Sequence, residues 1–235
     1  MPFRSDELLE QFAEETLRLF DEERLHKIKP LDPYAVIEKC LGVPYDWKFI
    51  TPDQSILGFT ASNDGYFWAW PEPRYRVGMI PEPIPVEKNE IVIDSTLTND
   101  SGKRGRENFT VMHEVFHQLL GHPYSVNVTQ MILAGDDHPI DQYSLRMYQR
   151  CEIQANRAAA DFLMPRALLT RLFYEESGER KLALGYLDAR RAVSQLAKGF
   201  QTSFDAMQIR LEDLQLLYRP EDYDLPQVGA TSPEV

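Results

Sequence analysis

Cysteine, long apolar runs and an export signal are scarce or absent in this sequence. The 235 residues include only two cysteines, Cys40 and Cys151, which form neither a CxxC pair nor a disulfide framework. No uncharged apolar run approaches the roughly 20 residues that span a bilayer. The opening residues lack the basic-then-apolar pattern of a signal peptide. These features predict a cytoplasmic protein in a reducing compartment, with no membrane partner.

Basic residues are also few relative to acidic ones. The chain has 25 Lys and Arg against 37 Asp and Glu, which gives a formal net charge of -12. Such a charge repels phosphate backbones, so direct nucleic-acid binding is not expected. A hydrophobic content of 43% is typical of a globular chain and excludes wholesale disorder.

The spacing of hydrophobic residues changes along the chain. Three-to-four spacing predicts a helix over residues 5–26, and turn-separated β-rich runs predict a small, mainly antiparallel sheet within residues 47–94. The predicted strands are 49–50, 56–60, 66–70, 76–80 and 90–94. Helical patterns dominate from Asn108 onward, with segments near 109–120, 145–164, 184–200 and 203–218. The sequence therefore predicts an α+β fold.

A His-Glu-x-x-His motif lies in the first of these later helices. His113 and His117 are four residues apart, so on a helix both imidazoles lie on one face and can bind a single metal ion. Zinc lowers the pKa of a bound water to about 7, and a neighbouring carboxylate can take its proton. Glu114 lies beside the histidine pair. The motif predicts a zinc site with Glu114 as the general base.

A catalytic zinc normally has three protein ligands, so a third ligand must lie elsewhere. His122 does not match the spacing of the long metzincin pattern. The segment 136–138, Asp-Asp-His, lies between a glycine and a proline and is a weak alternative. Glu152 lies on the next predicted helix, and Asn156 one turn later could orient a ligating imidazole. From spacing alone, Glu152 suits a ligand and an exposed helix residue equally well.

Two segments of the sequence resemble the signatures of a known family. Residues 109–122, FTVMHEVFHQLLGH, look like the active helix of the ImmA/IrrE metallo-endopeptidases. Residues 152–165, EIQANRAAADFLMP, are similar to the second signature of that family. The resemblance extends over most of the chain between residues 31 and 217.

This resemblance implies a zincin-like fold with one divalent metal. His113, His117 and Glu152 would be the metal ligands, and Glu114 would be the base. The metal is usually zinc, although manganese and iron suit the same donors. Asn156 would orient one of the ligating histidines.

The resemblance also implies a division of the chain. We expect an N-terminal helix over residues 1–30, followed by a zincin-like metallopeptidase domain over residues 31–180. A C-terminal helical bundle over residues 181–219 would pack on that domain. Residues 220–235, rich in proline and acid, would form a flexible tail.

Cleavage of one specific intracellular protein is the function that the resemblance implies. The substrate would be a helix-turn-helix transcriptional repressor, and its cleavage would switch on stress-response genes. Hydrolysis also needs a donor to the developing oxyanion, for which the sequence offers His122, Tyr124, Tyr143 and Tyr148 without choosing among them.

Two other functions stay open at the level of sequence. The metal helix could belong to a sensor or docking protein that captures a regulator without cutting it. Residues 192–214 form a helix, a short turn and a helix, which would suit a DNA-binding regulator. The intact Glu114 favours the enzyme, because a pure binder has no use for a base at that place.

Overall fold

This computed structural model, which describes residues 4–74, 76–98, 100–122, 142–178 and 180–219, consists of helices and short strands. The helices are α1 (Asp6–Asp21), α2 (Pro33–Val36), α3 (Arg104–Leu119), α4 (Gln142–Leu163), α5 (Arg166–Ser177), α6 (Leu187–Phe200) and α7 (Phe204–Asp213). The strands are β1 (Tyr45–Lys48), β2 (Gly58–Thr60), β3 (Gly65–Ala69), β4 (Glu82–Val86), β5 (Ile91–Asp94), β6 (Leu182–Ala183) and β7 (Leu217–Tyr218). Among the described helices, none combines the length and the apolar character that a membrane span requires.

Side-chain caps explain where several helices begin. Ser5 accepts a hydrogen bond from the Leu8 N–H at the start of α1, and Ser203 does the same for Ala206 at the start of α7. Asp100 caps a short 3-10 turn that leads directly into α3. Because of that turn, α3 begins at Arg104, earlier than the predicted residue 109.

Antiparallel pairing predominates among strands β1 to β5, as expected, but the central sheet also contains one parallel pair. Its order is β1-β5-β2, with β1 parallel to β5 and β2 antiparallel to β5. Parallel pairing needs a long crossover between the two strands. The chain between β1 and β5 supplies it, because it contains β2 and the β3–β4 hairpin. The short pair β6–β7 is also parallel, and helices α6 and α7 connect its strands.

The β3–β4 hairpin differs from the sequence prediction in its second strand. Residues 76–80 form no strand, and β4 lies instead at Glu82–Val86, which includes two prolines. Pro83 pairs opposite Trp68, and Pro85 pairs opposite Tyr66. Proline is tolerated in an edge strand because its missing N–H faces away from the ladder. Residues 82–86 thus form a strand although their prolines are typical of a turn.

Two hydrophobic clusters lie on opposite faces of β5. Ile91 and Ile93 belong to the main cluster, which also contains buried residues of α1, α3, α4, α5, α6 and α7. Val92 points to a smaller cluster, where it meets Phe59 of β2 and Phe67 of β3. Strand β5 is consequently buried along its whole length. Its neighbour β2 is held against α3, and this contact positions the site described next.

Candidate metal centre

Helices α3 and α4 pack together and bring the three predicted ligands to one point. The Nε2 atoms of His113 and His117, one turn apart on α3, lie 2.9 Å from each other. Glu152 faces them from α4, with Oε2 3.2 Å from His113 Nε2 and Oε1 3.3 Å from His117 Nε2. The close approach of the helices is possible because α4 carries small buried residues, Ala155 and Ala159.

The donor atoms of these three residues have a spacing close to that of ligands on one metal ion. On a tetrahedral ion with bonds of about 2.0–2.2 Å, ligand atoms lie about 3.3–3.6 Å apart. The separations here, 2.9–3.3 Å, are close to that spacing. Two imidazole nitrogens and one carboxylate also form a donor set that zinc prefers. Within the described residues, no other group of three histidine, cysteine or acidic side chains converges in this way.

Asn156 lies one turn after Glu152 and contacts the far side of a histidine. Its Oδ1 is 2.9 Å from His113 Nδ1. An amide oxygen can only accept, so this contact places the imidazole proton on Nδ1. In the neutral ring, His113 Nε2 then keeps a lone pair that points at the group. Asn156 would therefore orient the ring as a metal ligand.

The charges in the group favour a bound cation. Burial disfavours the ionised form of Glu152, but the hydrogen bonds from His113 and His117 outweigh it and hold the pKa of Glu152 well below its ordinary value. Burial also opposes a charge on His113, yet the hydrogen bond and charge of Glu152 raise the pKa of His113 overall. The group thus contains an ionised carboxylate that a bound cation would pair with, beside a His113 imidazole whose pKa is raised.

Glu114 lies beside the group in a pocket of about 290 Å³ that all three predicted ligands line. Its side chain is only 5% exposed. Oε2 accepts a hydrogen bond of 2.8 Å from the Thr60 hydroxyl of β2. The other oxygen, Oε1, makes no hydrogen bond to any described residue. Glu114 is therefore anchored through one oxygen while the other is available for chemistry.

Strand β2 forms one wall of this pocket through contacts that the sequence did not reveal. A Cβ at Gly58 would lie 2.9 Å from Thr110 Cγ2 on α3 and 3.1 Å from Ile93 Cδ1. Only glycine therefore allows β2 to approach α3 closely enough for Thr60 to reach Glu114. Residues 56–60 were predicted as a strand, but nothing in the pattern linked that strand to the motif.

The structure distributes the predicted oxyanion donors unequally. Tyr148 lines the metal pocket, where burial and the charges of Glu152 and Glu114 raise the pKa of its hydroxyl to about 12. His122 does not line that pocket, and its Nδ1 lies 3.2 Å from His117 Nδ1. Burial, followed by the neighbouring His117, lowers the pKa of His122 to about 4.

Other predicted residues lie outside the described part of the chain. These are Tyr124, the alternative ligands at 136–138 and the tail 220–235. Tyr143 falls at the start of α4, but its side chain is not among those described.

A larger cavity lies elsewhere, at the N-terminal end of α3. Its volume is about 950 Å³, and its walls include Tyr34, Trp47, Arg104, Glu107 and Lys198. Glu107 is already paired there, because it accepts hydrogen bonds from Tyr34 at 2.8 Å and from Arg104 at 3.3 Å. None of the described predicted site residues lines this cavity. Convergence of donor atoms, and not cavity size, locates the candidate site.

A family model matches the part of the chain that contains this site. Residues 91–212 match the family model of the IrrE N-terminal-like domain, peptidase family M78. No curated protein matches the chain. Among solved structures, a Mycobacterium tuberculosis transcriptional regulator matches with a TM-score of 0.48 and 15% identity, over 88% of this chain and 46% of that one. The chain thus spans about half the length of that structure.

The family match runs from β5 to α7 and includes both helices that carry the converging donors. It covers slightly more than half of the chain. The chain therefore belongs to the M78 peptidase family, defined by the IrrE N-terminal-like domain.

Proposed function

We propose that the chain is a zinc-dependent endopeptidase that cleaves a specific protein, a helix-turn-helix transcriptional repressor. The observation that carries this proposal is the position of Glu114, buried in the same pocket as the three converging donors. A site that only binds a metal has no need of this carboxylate, whereas peptide hydrolysis needs a base there. Membership of a peptidase family supports the same conclusion.

The residues of the site would divide the work of hydrolysis. A divalent metal held by His113, His117 and Glu152 would supply Lewis acidity, which activates water and polarises the peptide carbonyl. Glu114 would take a proton from the attacking water on Oε1 and deliver it to the leaving amine. The Thr60 hydroxyl would hold Oε2 and so keep the carboxylate oriented throughout.

Tyr148 is the proposed donor to the developing oxyanion. It lines the pocket, and its raised pKa means that the hydroxyl keeps its proton at neutral pH. A neutral hydroxyl can donate to negative charge that forms on the substrate. The position of His122 behind His117 favours Tyr148 over His122 for this role.

A repressor substrate is supported by charge as well as by family. The chain carries a net charge of -12. DNA-binding domains are basic, so opposite charges would speed their encounter with this protein. The resemblance to the ImmA/IrrE enzymes implies the same class of substrate.

The test compares zinc-loaded wild type with Glu114→Gln on purified helix-turn-helix repressors from the source genome. We expect one repressor to be cut at a defined bond by the wild type and to stay intact with the variant. Elemental analysis should find about one zinc per chain in both proteins. A chelator should abolish cleavage by the wild type, and added zinc should restore it.

The docking alternative predicts a different result. A sensor would bind a repressor with or without Glu114 and would leave it uncut in both cases. The DNA-binding alternative predicts salt-sensitive binding to duplex DNA. Against it, α6 and α7 contribute Val193, Leu196, Met207 and Leu211 to the main hydrophobic cluster, which supports a packing role for both helices.

A further inference from the structure

Three polar side chains connect the two metal-binding helices behind His117. His122 Nδ1 lies 3.2 Å from His117 Nδ1. Gln154 on α4 acts on the pKa of His122 as a hydrogen-bond acceptor, which raises that pKa against the effect of burial. His117 is 1% exposed and Gln154 is 7% exposed. The contacts therefore lie in the interior, where a missing hydrogen bond is costly.

The end of α3 explains how His122 reaches this place. Gly121 adopts a left-handed conformation with φ of 68°, which glycine accepts without strain. The N–H of His122 then donates to the His117 carbonyl at 2.9 Å, and the N–H of Gly121 donates to the Gln118 carbonyl at 2.8 Å. The chain turns back, so His122 lies beside the ring of His117 and does not continue along the helix axis.

The direction of the hydrogen bonds follows from the metal site. To bind an ion through Nε2, a neutral His117 must carry its proton on Nδ1. That N–H faces His122 Nδ1, which must then accept it and carry its own proton on Nε2. The side-chain oxygen of Gln154 is the matching acceptor for that second proton. In this arrangement His117, His122 and Gln154 each have a hydrogen-bond partner while all three side chains are uncharged.

We infer that His122 and Gln154 are positioning residues of the metal centre, which hold His117 in the tautomer that binds the ion. They would orient the ring of His117, as Asn156 would orient the ring of His113 through its contact of 2.9 Å. Neither is a metal ligand, because His122 meets the ring nitrogen on the side away from His113 and Glu152. The inference rests on the metal site of the proposed function, but not on its peptidase activity.

The test uses the full chain and zinc alone. Zinc affinity is measured by competition with a chromophoric chelator in the wild type, His122→Ala, Gln154→Leu and the double variant. We expect His122→Ala to weaken zinc binding about 10- to 100-fold while one zinc per chain is retained at saturation. Gln154→Leu should weaken zinc binding less in the wild type and not at all in the His122→Ala background. The hydrogen bonds between His117 and Gln154 are already interrupted in that background.

Matched variants separate positioning from general damage. His26→Ala makes the same substitution at an exposed histidine outside the site and should leave zinc affinity unchanged. Gln154→Glu keeps an acceptor oxygen and should bind zinc more tightly than Gln154→Leu. The cobalt-substituted His122→Ala protein should keep the visible bands of the wild type, because its ligand set is intact.

Three results would overturn the inference. They are a zinc affinity of His122→Ala within about twofold of the wild type, additive effects in the double variant, and loss of the cobalt bands in His122→Ala. Should His122→Ala fail to fold, equal affinities of Gln154→Leu and Gln154→Glu would overturn it as well. Weakened zinc binding in a protein that cleaves nothing would contradict the proposed function and still support this inference.

Discussion

Helix α4 carries two polar clusters that differ in whether they contain their own cation. At its middle, Glu152 meets His113 and His117, and all three side chains offer donor atoms to one point. Near its end, Asp161 meets Arg210 of α7, with Oδ1 2.6 Å from Nη1, and both are 1% exposed. The second cluster contains its own cation, whereas the first requires one from outside. Composition therefore separates the proposed metal site from a structural ion pair on the same helix.

The ion pair shows what burial costs a carboxylate that has a partner. Arg157 Nε lies 3.7 Å from Asp161 Oδ2, and Arg210 Nε donates to the Met164 carbonyl at 3.3 Å. Burial nevertheless raises the pKa of Asp161 to about 6, against the opposing charges of Arg210 and Arg157. The pair links α4 to α7. Its carboxylate already has a cationic partner, so this cluster does not offer a set of converging donor atoms to a metal ion.

Removing the cation from the ion pair should give the largest effect on stability. Arg210→Met leaves Asp161 buried without its nearest partner, so we expect the free energy of unfolding to fall by about 3 kcal/mol or more. Urea unfolding in the presence of a chelator measures this value. Arg191→Met, the same change at an exposed arginine of α6, is the control. Zinc affinity that fell together with stability would contradict the separation of the two clusters.

At the proposed metal site we expect a large loss of zinc affinity and only a small change in stability. Glu152→Ala removes a proposed ligand, so zinc affinity should fall more than about 100-fold. This exceeds the loss expected when a residue that only orients a ligand is removed. The metal-free protein should keep its stability within about 1 kcal/mol, because the Glu152 side chain is 28% exposed. Chelator competition and urea unfolding measure the two quantities. Glu176→Ala, at an exposed position of α5, should change neither.

The pH dependence of stability should identify the ion pair. Asp161 has a folded-state pKa of about 6, above its ordinary value, so the folded protein binds this proton more tightly than the unfolded chain. Stabilisation from Asp161 is then present below about pH 4 and is lost as the pH rises through about 6. Relative to Asp161→Asn, the metal-free wild type should lose about 2–3 kcal/mol across that window.

Urea unfolding at several pH values between about 4 and 7 measures this difference. Asp205→Asn, at an exposed aspartate of α7, should follow the wild-type curve. Parallel curves for the wild type and Asp161→Asn would show that Asp161 titrates in its ordinary range and would remove the contrast between the two clusters.

The smallest effect is expected at the anchor of the base. Thr60→Val deletes the hydroxyl that donates to Glu114, so the turnover rate for the cleaved repressor should fall about tenfold, or about 1.4 kcal/mol. Zinc affinity should stay within about twofold, because Thr60 is not a ligand. Thr60→Ser should recover most of the rate. An unchanged rate in Thr60→Val would show that Glu114 needs no support from β2.

Local patterns predicted the parts of the site that lie on one element. The four-residue spacing of His113 and His117 depends only on helix periodicity, and Ser5 and Ser203 act locally as caps. The parallel β1–β5 pairing and the proline-containing β4 gave no signal, because both depend on pairing with a neighbouring strand. Thr60 gave no signal, since a threonine in a strand looks the same whether or not it meets a glutamate.

The sequence by itself determined which side chains could perform this chemistry: two histidines on one helix face with a glutamate between them. Only the tertiary structure decided which distant groups join them. Glu152 reaches the histidines because small residues let α4 approach α3, and Thr60 reaches Glu114 because Gly58 lets β2 do the same. Periodicity is a property of a single backbone element, whereas these contacts depend on how closely two elements pack, which no single segment encodes.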